Sequence, residues 1–123
     1  MRALVIDDSR TARLVIGTIL REEGLDVVEA ADGREGLDRL SGDPSIGLVL
    51  VDWNMPVMTG LEFIRAVRGD RSFDPVRIMM VTTETEQAQV ATALAAGADE
   101  YVMKPFTREI LVAKLSLLDA LGE

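Results

Sequence analysis

Five short apolar runs recur along the chain: ALVI at 3–6, DVVEA at 26–30, LVLV at 48–51, RIMMV at 77–81 and YVM at 101–103. Each pair is separated by a longer segment of helical period, so strands alternate with helices. Strands joined through helices return parallel, and runs that are apolar at consecutive positions suit strands covered on both faces. The pattern predicts an α/β fold, a single doubly wound (βα)5 domain with a five-stranded parallel sheet and helices on both faces.

The intervening segments carry amphipathic stripes. From Ser9, the residues Ala12, Val15, Ile16, Ile19 and Leu20 fall on one helical face, with Gly17 a local weak point and Gly24 a left-handed cap. Leu61, Ile64, Ala66 and Val67 form another stripe, and Val90, Ala91, Leu94 and Ala95 a further one that Gly97 ends. Thr107 opens the last helix, which carries Ile110, Leu111, Leu115 and Leu118. A length of 123 residues suits one domain over 1–123, and no linker or repeat suggests an output domain.

What the chain lacks narrows its chemistry. Without cysteine it has no disulfide, thiolate metal site or cysteine nucleophile, and without histidine it has no histidine base or ligand. A phosphohistidine, if one is involved, belongs to a partner. With 13 basic and 21 acidic residues the net charge is -8, which opposes binding to nucleic acid or anionic membrane. The opening MRALVIDD has too short an apolar run for a signal peptide or a span, so a cytoplasmic location is expected.

The polar residues that follow the strands hold the functional signal. ALVI leads into Asp7-Asp8, LVLV into Asp52, RIMMV into Thr82-Thr83 and YVM into Lys104-Pro105, all at carboxyl ends. DVVEA leads only to Ala31 and Asp32-Gly33. Open parallel sheets bind ligands outside the carboxyl ends where strand order reverses. Placing that reversal between strands one and three gives the order 2-1-3-4-5, already established for flavodoxin-like sheets.

Asp7, Asp8 and Asp52 then converge, and their mutual repulsion favours a bound cation. An all-oxygen donor set suits Mg²⁺, which keeps waters and takes one or two carboxylates plus a phosphate oxygen. A carboxylate is also a competent nucleophile toward phosphorus, and Asp52 is the candidate phosphoacceptor. The Lys104 ammonium and the Thr82 hydroxyl are placed to meet phosphoryl oxygens beside the metal. Taken singly, each residue has a plainer role: a helix cap for Asp7-Asp8 or Thr82-Thr83, a turn for Asp52, a solvated lysine, a packed Tyr101. Four loops supplying complementary groups to one rim outweigh those separate explanations.

The strings IDDS (6–9), VDWNMPVMTGLEF (51–63), VTTE (81–84) and AGADEYVMKPF (96–106) resemble, in order and spacing, the receiver domain of bacterial two-component response regulators. Among these the chain is most similar to the stand-alone chemotaxis members. The resemblance implies a phosphoprotein switch rather than an enzyme, limited to self-phosphorylation from donors and self-dephosphorylation. It implies Asp52 as phosphoacceptor, Asp8 as direct metal ligand, Asp7 acting through water and the Asn54 carbonyl as a further ligand. It implies Lys104 as phosphoryl binder ahead of a cis Pro105, Thr82 and Tyr101 as switch residues, and Asn54 and Glu84 as tuners of dephosphorylation. Thr83 is bulkier than the alanine or glycine often found beside the switch residue and would restrict access.

The implied partners are a histidine kinase or phosphotransfer protein as donor and a downstream target, a flagellar motor switch or another effector, met by a monomer through helix four, strand five and helix five. Three alternatives remain. A haloacid-dehalogenase-like phosphotransferase would place an aspartate where Asn54 stands. A phosphorylation-independent interaction domain would lack the acceptor, the lysine or the acidic pair, and none of these is missing. A flavodoxin-like carrier would place donors, not DDSRTA, after strand one.

Overall fold

The computed structural model describes residues 1–83 and 88–118. Its strands are β1 (Arg2–Ile6), β2 (Asp26–Ala30), β3 (Ile46–Asp52), β4 (Arg77–Thr83) and β5 (Glu100–Lys104). The helices are α1 (Arg10–Glu22), α2 (Gly33–Gly42), α3 (Gly60–Arg68), α4 (Val90–Ala96) and α5 (Arg108–Leu117), with a 3-10 turn at Arg71–Phe73. All strand pairs are parallel and the order is β2-β1-β3-β4-β5. Both the fold and the strand order agree with the sequence reading. At their carboxyl ends β3, β4 and β5 run further than expected, so that Asp52, Thr82, Thr83 and Lys104 close strands rather than open loops.

Strand alternation sorts the core into two layers. Ala3, Val5, Leu48, Leu50, Met79, Val81 and Val102 pack with Ile16 and Leu20 of α1 and Leu111 and Leu115 of α5. Leu4, Ile6, Val49, Val51, Ile78 and Met80 face the other way, onto Leu40, Phe63, Ile64, Val67 and Ala93. Leu48, Val49, Leu50 and Val51 are each 0% exposed. Burying such a side chain contributes about 1.5–3 kcal/mol, so β3 anchors both layers.

Four helical stripes differ from expectation. Val15 is 50%, Ile110 48% and Leu94 41% exposed. Consecutive helical residues diverge by about 100°, so of Val15-Ile16 and of Ile110-Leu111 only one can face the sheet. Ala66 is likewise exposed, and Phe63 fills its expected place in the core. In α4 (VATALAA) Ala91 and Ala95 are exposed and Ala93 is buried, with Val90 and Ala96 packed beside it. A helix apolar nearly all round gives periodicity nothing to choose from; packing chose the stripe.

Local chemistry fixes the element ends. Ser9 caps α1 by accepting from the Ala12 N–H at 3.2 Å, and Thr107 caps α5 by accepting from Ile110. Thr59 and Glu62 form a reciprocal capping box on α3. Gly24 has φ 91°, the left-handed conformation anticipated for it. Gly60 answers to space instead: a Cβ there would lie 2.6 Å from the Asp52 carbonyl oxygen. Its N–H donates to the Trp53 carbonyl at 3.0 Å, which folds the 53–59 loop tightly over the end of β3.

Candidate functional site

Alternation along the strands decides which side chains meet at the carboxyl rim. Asp7 continues the Ala3–Val5 side of β1, Asp52 the Leu48–Leu50 side of β3, and Lys104 the Val102 side of β5. All three therefore emerge on the α1/α5 side of the sheet. Thr82 and Tyr101 have the opposite parity and belong with Ile78 and Met80, toward α3 and α4. One rim thus carries an acidic site on one side and the two expected switch residues on the other.

Asp7, Asp8 and Asp52 each offer a carboxylate oxygen, all within 4.8 Å of one another. Asp7 and Asp52 are buried, at 1% and 8% exposed, while Asp8 opens to solvent. Burial pushes the Asp52 carboxyl up to about 6, and the neighbouring charge of Asp7 adds to it. The Lys104 charge and the Asn54 backbone N–H pull the other way without cancelling the rise. Lys104 itself pairs with Asp7, its Nζ 2.9 Å from Oδ2.

Asp7 is held at every polar atom. Its N–H donates to the Ala30 carbonyl at 3.1 Å, its Oδ1 accepts from the Ser9 N–H at 2.9 Å, and its Oδ2 takes the Lys104 ammonium. The remaining carbonyl oxygen accepts from Arg13 at 2.6 Å. Arg13 was missed at the level of sequence, yet a signal exists. Helical side chains lean toward the N-terminus, so an arginine one turn into α1 reaches back over the β1–α1 loop.

The plainer explanations are partly excluded. Ser9, not an aspartate, caps α1, and Thr82-Thr83 lie in β4 rather than at the start of α4. The Thr82 hydroxyl is fully buried and donates to the Thr83 carbonyl at 3.3 Å. Thr83 lines a cavity of about 450 Å³ with Ala12, Val15, Lys104 and Phe106, next to the acidic cluster through Lys104. Tyr101 is half-buried, with the Lys114 ammonium 4.2 Å from its ring centroid and that ammonium held by Glu100 at 3.1 Å. Glu84 lies outside the described residues.

Two features of the backbone frame the site. The Lys104–Pro105 peptide is cis, as the family resemblance implied. Val57, in the loop after Asp52, has φ 69° and is 80% exposed, a left-handed conformation that a β-branched residue adopts only under strain.

The three carboxylates face one ammonium, a donor set of hard oxygens with excess negative charge, and this fits a divalent cation such as Mg²⁺. No described helix is long and apolar enough to cross a membrane.

Comparisons with known proteins follow the same line. The family model described as response regulator receiver domain matches residues 3–116. A chemotaxis protein CheY homolog of Campylobacter jejuni is 44% identical over 99% of this chain and 93% of its own length. Chemotaxis protein CheY1 of Helicobacter pylori is 42% identical over 96% of both. Among solved structures, the chemotaxis protein CheY4 of Vibrio cholerae superposes with a TM-score of 0.87 at 37% identity, covering 94% of this chain and 96% of that one.

Proposed function

The chain belongs to the response regulator receiver domain family, and from that premise we propose that it is a phosphorylation switch with Asp52 as its phosphoacceptor. The supporting observation is the convergence of three carboxylates within 4.8 Å, with the Asp52 carboxyl pushed up to about 6 beside the Lys104–Asp7 pair. Such a group is ionised at neutral pH but strained by its neighbours, a suitable nucleophile once charge is neutralised.

In the transfer step an Asp52 oxygen forms a bond to phosphorus while the bond from phosphorus to the donor's imidazole nitrogen breaks. The donor, a histidine kinase or phosphotransfer protein, keeps its imidazole. Asp8, Asp52 and the Asn54 carbonyl would hold Mg²⁺, with Asp7 acting through water. When bound, the cation supplies charge neutralisation for the phosphoryl oxygens. Lys104 leaves Asp7 to meet one phosphoryl oxygen, and Thr82 offers its hydroxyl to another.

Movement of Thr82 frees volume on the α3/α4 side of the sheet, where Tyr101 shares its parity. An inward turn of Tyr101 then alters the face built by α4, β5 and α5 and shifts its affinity for a downstream protein. The relatives named above are chemotaxis proteins, which favours a motor-switch or similar effector as that target. Asn54 and Glu84 set how fast water removes the phosphoryl group, and Thr83 narrows the approach.

The test is incubation with Mg²⁺ and a small acyl phosphate, read by intact mass. One added phosphoryl group that Asp52→Asn abolishes is the expected result. No adduct, or one that persists in the variant, would falsify the assignment.

A further inference from the structure

The acidic pair is carried by a loop, yet the loop is held by a side chain with no charge partner in the pair itself. Arg13 donates from Nη1 to the Asp7 carbonyl at 2.6 Å and from Nε to Glu29 at 3.1 Å. Glu29 lies on β2, the edge strand that sends no residue to the rim, and Arg21 approaches the same carboxylate at 3.9 Å. The Arg13 side chain is only 16% exposed. A charge-assisted hydrogen bond of this length is stronger than a neutral one.

We infer that Arg13, braced by Glu29, is a positioning residue that sets the affinity of the Asp7-Asp8-Asp52 cluster for its divalent cation. The peptide linking Asp7 to Asp8 is planar, with its carbonyl and N–H pointing to opposite sides. Pinning the Asp7 oxygen toward Arg13 therefore fixes the orientation of the whole plane and the direction in which the Asp8 backbone departs. Asp8 is the exposed member of the cluster and lacks the sheet contact that holds Asp7. Its carboxylate can be delivered to the cation repeatedly in one place only if that peptide does not rotate.

The planar guanidinium suits this task because a single rigid fork joins the loop to the edge strand. A lysine could reach the carbonyl or Glu29 with one compact head but could not fix the angle between them. Partners that orient ligands in this way characteristically change metal affinity by about 10–100-fold when removed.

The inference rests on the cation site proposed above, and Mg²⁺ titration of the full chain separates the two. Binding is followed by calorimetry and by the fluorescence of Trp53, and thermal unfolding without Mg²⁺ is measured in parallel. Arg13→Met is expected to weaken Mg²⁺ binding about tenfold, Arg13→Lys to recover part of the loss, and Glu29→Gln to weaken binding less than Arg13→Met. A merely structural arginine would lower the unfolding midpoint and leave Mg²⁺ affinity alone, and that result overturns the inference. Should Arg13→Met fail to fold, wild-type affinity in both Arg13→Lys and Glu29→Gln overturns it equally. Absence of Mg²⁺ binding by the unaltered chain would instead remove the proposed site itself.

Discussion

Asp43 stands just ahead of β3 and Asp52 ends it, and their surroundings are opposite. At the amino end of the sheet the Asp43 carboxylate accepts from Ser45 and from the Arg2 guanidinium, which together draw it down to about 2. At the carboxyl end Asp52 is buried beside Asp7 and pushed up to about 6. A cavity of about 500 Å³ lined by Leu40, Ile46, Phe73 and Val76 among others lies at the amino end, and it is no smaller than the one of about 450 Å³ beside Lys104. Volume alone therefore does not locate the chemistry here. What distinguishes the carboxyl end is charge left uncompensated by the chain, which a cation and a phosphoryl group can exploit.

The largest expected effect tests that contrast through pH. The Asp52 carboxyl titrates near 3.8 in the unfolded chain and near 6 in the folded one, so between those values the folded state binds more protons. Without Mg²⁺, stability should then rise as pH falls from 7 to 4, by up to about 3 kcal/mol. Asp52→Asn should be more stable than the parent at pH 7 by a similar amount and show a flatter profile. Urea midpoints across this range measure both, and a parent whose stability falls steadily from pH 7 to 4 would break the comparison.

Next in size is the response to a single added methyl. At Gly60 a Cβ would meet the Asp52 carbonyl at 2.6 Å and the Trp53 Cα at 2.9 Å, both backbone atoms that cannot step aside. Gly60→Ala should cost about 1–3 kcal/mol and weaken Mg²⁺ binding with it. At Gly47, toward the amino end of the same strand, the nearest atoms belong to the flexible Met1 side chain, at 3.3 Å and beyond. Gly47→Ala should stay within about 0.5 kcal/mol of the parent. Equal losses from the two variants would mean that the 53–59 loop is not the tighter end.

The smallest effect belongs to Asp43. Its carboxyl is lowered on folding, so its contribution is present above the unfolded value of 3.8 and is lost as pH falls through about 2. This window lies below that of Asp52 and has the opposite sign. Asp43→Asn should lower the thermal midpoint at pH 7 only slightly, and the gap from the parent should close as pH falls from 4 toward 2. A large loss at pH 7 would give the amino end a structural importance that its half-exposed ion pair does not suggest.

Much of this protein was legible in its sequence, because strand runs, caps and breaks depend on neighbours in the chain. The five strands and the polar residues that end them, Asp7, Asp8, Asp52, Thr82 and Lys104, follow from patterns a few residues long, whereas the order 2-1-3-4-5 came from setting the reversal between the two strands that lead into aspartates. The helical stripes were less legible: Val15, Leu94 and Ile110 are apolar and exposed, since periodicity cannot choose between adjacent apolar residues.

Only the tertiary structure decided who pairs with whom. Lys104 joins Asp7 across 97 positions of chain, Arg13 and Glu29 brace the acidic loop from a helix and an edge strand, and Asp52 gains its raised pKa. Electrostatic and desolvation energies depend on distances in space and on what excludes water, and those are fixed only when the crossovers bring remote segments together.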